Sequence, residues 1–383
     1  MKKWDHFLVA IALTLAGTVG CGAAPSEGGE GGEDIARTRA ALGSTWPTPV
    51  PIGDLQGLKT MDMEGNYYLT RDIDGLNATW VPPSTFMGTL DGRGKTIKNL
   101  IINDTHNRAG AFFETTSAAL IKNLRFTGMK VTGNNIAAGV VGVASDSSFD
   151  QVGFQGTVTG SIEAGGLVGR LFGGSITRSY MKGTVSGATA EIGGLVADAR
   201  GAIIGSYAQA TVTGNTTNAS PSAGGVVGVL SEGGDMHDVY AVGNVKGRGH
   251  VGGLIGNATC SPDYGYLMYN GIYRGGDVTD ANRSAWSGAI GDFQNCANVG
   301  RTGLFFYDIS SDQSGTHNTS YEGNIGATAT QLKTPTTPDG GVFCQFGGGH
   351  CTDNGLTDPP WNAGTSTQNH TLRGVLDEGS QPL

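Results

Sequence analysis

Charged side chains make up only 15% of this chain of 383 residues, and histidine, the usual carrier of acid–base and metal chemistry, occurs 7 times. His106, His237, His250, His317, His350 and His370 stand singly, and with no partner four residues away they exclude the His-Glu-x-x-His zinc motif. No Gly-x-Ser-x-Gly nucleophile elbow occurs. No two cysteines stand in a C-x2-C arrangement, and no glycine-rich stretch runs on into the Lys-Ser/Thr of a P-loop. The apolar run from Phe7 to Val19 is too short to cross a bilayer. Lys and Arg number 24 against 33 Asp and Glu, a net charge of −9 that argues against nucleic acid as a partner. These absences lead to the expectation of a chain with no catalytic activity, no cofactor and no metal.

Glycine is abundant instead, at 66 residues. Six short apolar runs carry it: Ala109-Gly110-Ala111-Phe112-Phe113, Ala138-Gly139-Val140-Val141-Gly142, Gly165-Gly166-Leu167-Val168-Gly169, Gly193-Gly194-Leu195-Val196-Ala197, Gly224-Gly225-Val226-Val227-Gly228 and Gly252-Gly253-Leu254-Ile255-Gly256. Their second residues lie 29, 27, 28, 31 and 28 positions apart, a period that signals a solenoid. Each unit buries its apolar face only against its neighbours. The glycines are expected to supply left-handed corners and close backbone approach.

Between these runs a second element recurs. Ile176 to Gly187 aligns with Ile203 to Gly214, and weaker copies begin at Ile121, Phe149 and Met236. Within it Val131, Val158, Val185, Val212 and Val245 are flanked by polar residues, as in Thr157-Val158-Thr159. Alternation of period two points valine to one face and threonine to the other, and stacked coils turn both into ladders. The expected fold is all-β: a parallel β-helix, taken as right-handed, of about 28-residue coils. About nine coils from the fifties to residue 308 would form a rod on the order of 40 Å long.

At these residues the chain resembles the GLUG-motif proteins, whose Gly-Leu-x-Gly pattern Gly166-Leu167-Val168-Gly169 shows in full. Tyr67 to Asp74 and Phe86 to Ile97 are similar to the opening coils of that family, and Phe306-Tyr307-Asp308 with Ala327 to Lys333 to its closing segment. The resemblance covers residues 52 to 376 and implies a bacterial surface or adhesin-like protein. Some secreted metallopeptidases carry such repeats as a non-catalytic part, and this chain departs from them in lacking their zinc motif.

Met1-Lys2-Lys3 and the apolar run read as a secretory signal. The run ends at Thr18-Val19-Gly20-Cys21, which resembles a lipobox with Thr18 where Leu is usual. Residues 1–20 are thus expected to leave as a lipoprotein signal, with Cys21 carrying lipid. Residues 21–46 read as a Gly/Glu-rich tether with too little apolar content for a core. Residues 47–308 are assigned to the β-helix and 309–383 to a C-terminal cap, since a last open coil needs covering. Gly22 is not the aspartate that retains many such lipoproteins at the inner membrane, so the outer membrane is the implied location. Membrane attachment through the lipid, and a protein or glycan ligand on a surface or matrix, are the expected partners. The remaining cysteines, Cys260, Cys296, Cys344 and Cys351, form an even set in an exported chain and read as disulfides. Proximity suggests Cys260–Cys296 and Cys344–Cys351 among three pairings.

Two further patterns bear on function. Parallel β-helices host polysaccharide lyases and hydrolases that use paired carboxylates, and Asp146 with Asp150, Asp235 with Asp238 and Asp308 with Asp312 are the candidate pairs. Thr157 and Thr159, Thr184 and Ser186, and Thr211 and Thr213 would form two external hydroxyl columns, resembling ice-binding β-helices. Threonine's strand propensity also accounts for them. The leading expectation is a lipid-anchored surface β-helix acting in adhesion, with a carbohydrate-active enzyme and a crystal-surface binder as the alternatives. Replacing Cys21 with Ser is expected to leave an unprocessed or released protein. Detergent-phase partitioning and intact mass check it, and unchanged values would remove the anchor.

Overall fold

A computed structural model describes residues 48–104, 109–216, 222–231 and 233–259, with short strand segments beyond. The chain divides into units 1–46 and 47–383, and the first lies outside the described residues, Cys21 included. So do Cys260, Cys296, Cys344 and Cys351.

The second unit is a parallel β-solenoid. Its strands form a long sheet of 16, a second of 8 and a third of 6, with a separate antiparallel pair at Trp361–Asn362 and Thr371–Leu372. One coil shows the path: Glu163–Gly165 in the third sheet, Val168–Phe172 in the second, then Ser175–Thr177 and Tyr180–Gly187 in the long sheet. Ile192–Gly193 then begins the next coil beside Ala164–Gly165. The third sheet holds one strand per coil, so six coils carry all three faces. The long sheet extends further at both ends, from Val50–Ile52 to Asn324–Ala327, the latter paired with Phe305–Asp308. Its only described helix, Leu55–Lys59, is capped by Asp54 and buries Leu58 at the N-terminal end.

Register follows the valines. Ile102, Val131, Val158, Val185, Val212, Val245 and Val278 are successive partners, each at most 2% exposed. Beside them Phe126, Phe154, Met181, Ala208 and Ala241 form a second inward column whose side chains shrink along the stack. Aromatic rings fill the N-terminal end, where Trp80 stacks on Phe112 at 4.6 Å and donates its indole N–H to the Phe112 carbonyl at 2.8 Å.

The paired glycines of the repeat are explained by contact, not by left-handed backbone, since none of them has a positive φ. A Cβ at Gly165 or Gly193 would lie 1.9 or 1.8 Å from the carbonyl oxygen of Val168 or Val196, where the turn folds back. One at Gly166 or Gly194 would lie 1.9 Å from a carbonyl of the next coil. Left-handed residues sit instead at a bend in the long sheet, in a column of Asn123, Gln151, Arg178, Gly205 and Asp238. Serines repair the interrupted ladder there: Ser179 Oγ accepts from Val152 N–H and Ser206 Oγ from Ser179 N–H, both at 3.0 Å.

Val185→Asp would place an unpaired carboxylate at a fully buried rung and is expected to cost about 4 kcal/mol or more. Thr184→Asp, on the exposed side, is expected to cost less than about 1 kcal/mol. Thermal melts compare the two, and equal losses would contradict the register.

Candidate functional site

Two surfaces bring polar side chains together. The first is the outer side of the long sheet beyond its bend. Thr157, Thr184 and Thr211 are register partners, as are Thr159, Ser186 and Thr213. Thr157 and Thr184 share a hydrogen bond of 3.4 Å, and Ser186 donates to Thr159 at 3.2 Å. Lys130 heads the first column, and Thr132 heads the second, which Lys246 continues. A third column alongside holds Thr127, Gln155, Lys182 and Gln209. Across these four coils the three columns contain hydroxyls, amides and ammonium groups and no carboxylate. That is a local exception in a chain of net charge −9.

The second surface is the corner where the second and third sheets meet. A Cβ at Gly142 would lie 2.0 Å from Ala109 Cβ, and one at Gly169 2.3 Å from Ile136 Cγ2, so the sheets close together here. The residue before each third-sheet pair then faces the residue seven positions on. Arg170 donates through Nε to Glu163 Oε2 at 2.7 Å, and its Nη2 donates to Oε1. This hydrogen bonding by Glu163, which is only 4% exposed, holds the guanidinium above its already high range. In the next coil Glu191 and Asp198 occupy the same two places. Burial pushes the Glu191 carboxyl up, and the charges of Glu163 and Asp198 add to it. Burial likewise raises Asp198, against a 2.5 Å hydrogen bond from Ser231 and the charge of Arg200. Further along the same two columns come Ser222 and His250 in the third sheet, and Val229, Asn257 and Asp292 in the second. His250 Nδ1 lies 3.0 Å from Asp292 Oδ2.

The candidate carboxylate pairs stand in different surroundings. Asp150 is engaged by Arg178, through Nε at 2.8 Å and through Nη2, and by Thr177 at 2.9 Å, while Asp146 stays exposed in a turn. Asp235 and Asp238 both face His237, whose Nδ1 lies 3.0 Å from Asp238 and whose Nε2 lies 3.9 Å from Asp235. Asp238 is one of the left-handed residues of the bend, and its charge adds to burial in raising the Asp235 carboxyl. Asp308 ends a strand, and Asp312 lies outside the described residues. Among the described residues no group of three or more His, Cys, Asp or Glu could hold a metal ion.

No family model matches the chain, and no curated protein matches it in sequence. Solved structures do match in fold. A Bacteroides ovatus protein provisionally named an immunoglobulin A1 protease superimposes with a TM-score of 0.52 at 18% identity, over 85% of this chain and 92% of its own. A structure named IgA1 protease matches with a TM-score of 0.50 at 19% identity, over 71% of this chain and 22% of its own. The expectation of a chain with no catalytic activity is corrected by these neighbours. Both carry the name of a protease, so the coiled fold does not set this chain apart from enzymes. At such identity the likeness speaks for the fold, and any reacting residues must be sought in this chain's own geometry.

Sequence reading missed the corner, although a signal was present: Glu163/Arg170, Glu191/Asp198 and His250/Asn257 repeat one spacing of seven at three of the glycine runs, with Ser222/Val229 at the run between the last two. Only the closing of the two sheets gives that spacing meaning. Glu191 and Asp198 hold protons more tightly in the folded protein than in the unfolded chain. Stability is therefore expected to fall as pH rises from the ordinary carboxylate range through their folded values. Asp198→Asn, which keeps the acceptor for Ser231, is expected to raise the melting temperature at neutral pH and flatten its pH dependence. Melts between pH 4 and pH 8 check this, and an unaltered profile would contradict it.

Proposed function

We propose that this chain is an exported, lipid-anchored β-helix of GLUG type that binds an anionic glycan at the bacterial outer surface through the outer side of its long sheet. The observation that carries the reading is the absence of carboxylates from the three exposed columns, where Lys130, Lys182 and Lys246 stand among hydroxyls and amides. Hydroxyls and amides at a rung spacing of about 4.8 Å offer a repeating ligand donors and acceptors in equal steps. Ammonium groups on an otherwise acidic protein draw such a ligand to this side by field as well as by contact. The face is flat and rigid because each residue stands on a strand of the stack, so little order is lost on binding. The names of the two fold neighbours bring an immunoglobulin as a competing ligand class.

Purified chain is expected to bind sulfated or uronic-acid glycans with an affinity that weakens as salt rises. Lys182→Glu is expected to weaken binding by about tenfold, equal to roughly 1.4 kcal/mol, without changing the melting temperature. Calorimetry against glycans and against immunoglobulin separates the ligands. Undiminished glycan binding by the Lys182 variant, or binding to immunoglobulin alone, would overturn the reading.

A further inference from the structure

We propose that Ser222, His250 and Asp292 form an acyl-transfer site at the corner of the two short sheets, with Ser222 as the nucleophile toward a carboxylic ester or amide. This goes beyond glycan binding and does not depend on it, since the corner lies on other sheets than the carboxylate-free face.

Ser222 and His250 are register partners on adjacent coils of the third sheet, one rung or about 4.8 Å apart. Asp292 reaches the imidazole from the second sheet, 3.0 Å from Nδ1. A carboxylate at Nδ1 fixes the proton there and leaves Nε2 as the basic nitrogen, the tautomer that a serine nucleophile requires.

A second observation points to a ligand at the same place. Asn257, the register neighbour of Asp292 and seven residues after His250, is 7% exposed, and its carboxamide oxygen is buried without a partner. Leaving such an acceptor unsatisfied costs about 1–3 kcal/mol, and a donor on a substrate would relieve it. The Glu163–Arg170 pair three coils earlier satisfies itself completely within the corner. At the His250 end the register partner of the histidine is a serine, and an amide oxygen remains unsatisfied.

In the step itself Ser222 Oγ adds to the carbonyl carbon while its proton passes to His250 Nε2, and Asp292 balances the imidazolium. The tetrahedral adduct collapses, the bond to the leaving oxygen or nitrogen breaks, and His250 gives that proton to the leaving group. Water then attacks the acyl-serine, its proton returning through His250 to Ser222 Oγ as the carboxylic acid departs. Ser222 and His250 are the catalytic residues, and Asp292 is a positioning residue.

The test uses the full chain with a fluorophosphonate probe, p-nitrophenyl acetate and a peptide p-nitroanilide. The expected result is a covalent adduct on Ser222, seen by intact mass and peptide mapping. Turnover is expected to fall at least about 100-fold in Ser222→Ala and His250→Gln and to persist in Ser161→Ala. Asp292→Asn is expected to displace the pH profile of labelling, which loss of a merely structural contact would not do. The ester and anilide arms tell which acyl class is taken. Ser222→Ala removes one oxygen, so it keeps the test decisive should His250→Gln fail to fold. A folded wild-type chain with no adduct on Ser222, or equal labelling of Ser222→Ala, would overturn the proposal. Lys182→Glu, which addresses the glycan face, is expected to label normally, so failure of one proposal is distinguishable from failure of the other.

Discussion

Each coil gives its backbone N–H and C=O groups to the coils on either side, and its apolar side chains have nothing to cover them but the same residues one rung away. The two requirements can be met together at only one register, because a slip of a single residue would turn the valine ladder from Ile102 to Val278 outward and the threonines inward. This mutual dependence governs the rest of the molecule. It explains why side chains of like kind recur in columns, and why the stacked rings of Tyr180, Tyr207 and Tyr240 follow one another at 5.5 and 4.6 Å. It also explains why the bend in the long sheet recurs at one place in five successive coils, from Asn123 to Asp238. There the backbone groups that the ladder cannot use are met by Ser179 and Ser206, so the bend carries its own compensation.

The same stacking makes the corner between the two short sheets a place where polar chemistry is forced inward. Glycine at 142 and 169 lets the sheets approach until no side chain fits between them, and the flanking residues then face each other at close range. Glu163 and Arg170 answer with a bidentate ion pair, in which the geometry matches a planar guanidinium to a carboxylate. One coil on, two carboxyls, Glu191 and Asp198, occupy those places, and burial raises both against the nearby charges of Arg170 and Arg200. A single structural device thus yields different local chemistry in successive coils, according to what the sequence places on the two sides of each glycine run.

The fold neighbours, both named as proteases, change what the architecture is allowed to mean. Scattered histidines and the absence of local catalytic motifs argued for a chain without chemistry, and that argument assumes that reacting groups are close in sequence. In a solenoid they need not be. Ser222 and His250 are 28 residues apart and His250 and Asp292 are 42 apart, yet both pairs are neighbours on adjoining coils. The flat carboxylate-free face and the polar corner belong to different sheets, so each can be altered by substitution without touching the other.

The sequence by itself determined the solenoid, its period and the inward or outward sense of the second strand element, because spacing and period-two alternation are local properties that stacking merely repeats. It also marked the threonine columns from Thr157 to Thr213, whose alignment follows from the valines between them. Of the candidate carboxylates, Asp150 is engaged by Arg178 and both Asp235 and Asp238 contact His237, pairings that nearness in sequence does not give. Only the tertiary structure decided which residues meet at the corner. That depends on two sheets of different strands closing over a glycine, and the distance between them is fixed by backbone contact that no single coil possesses.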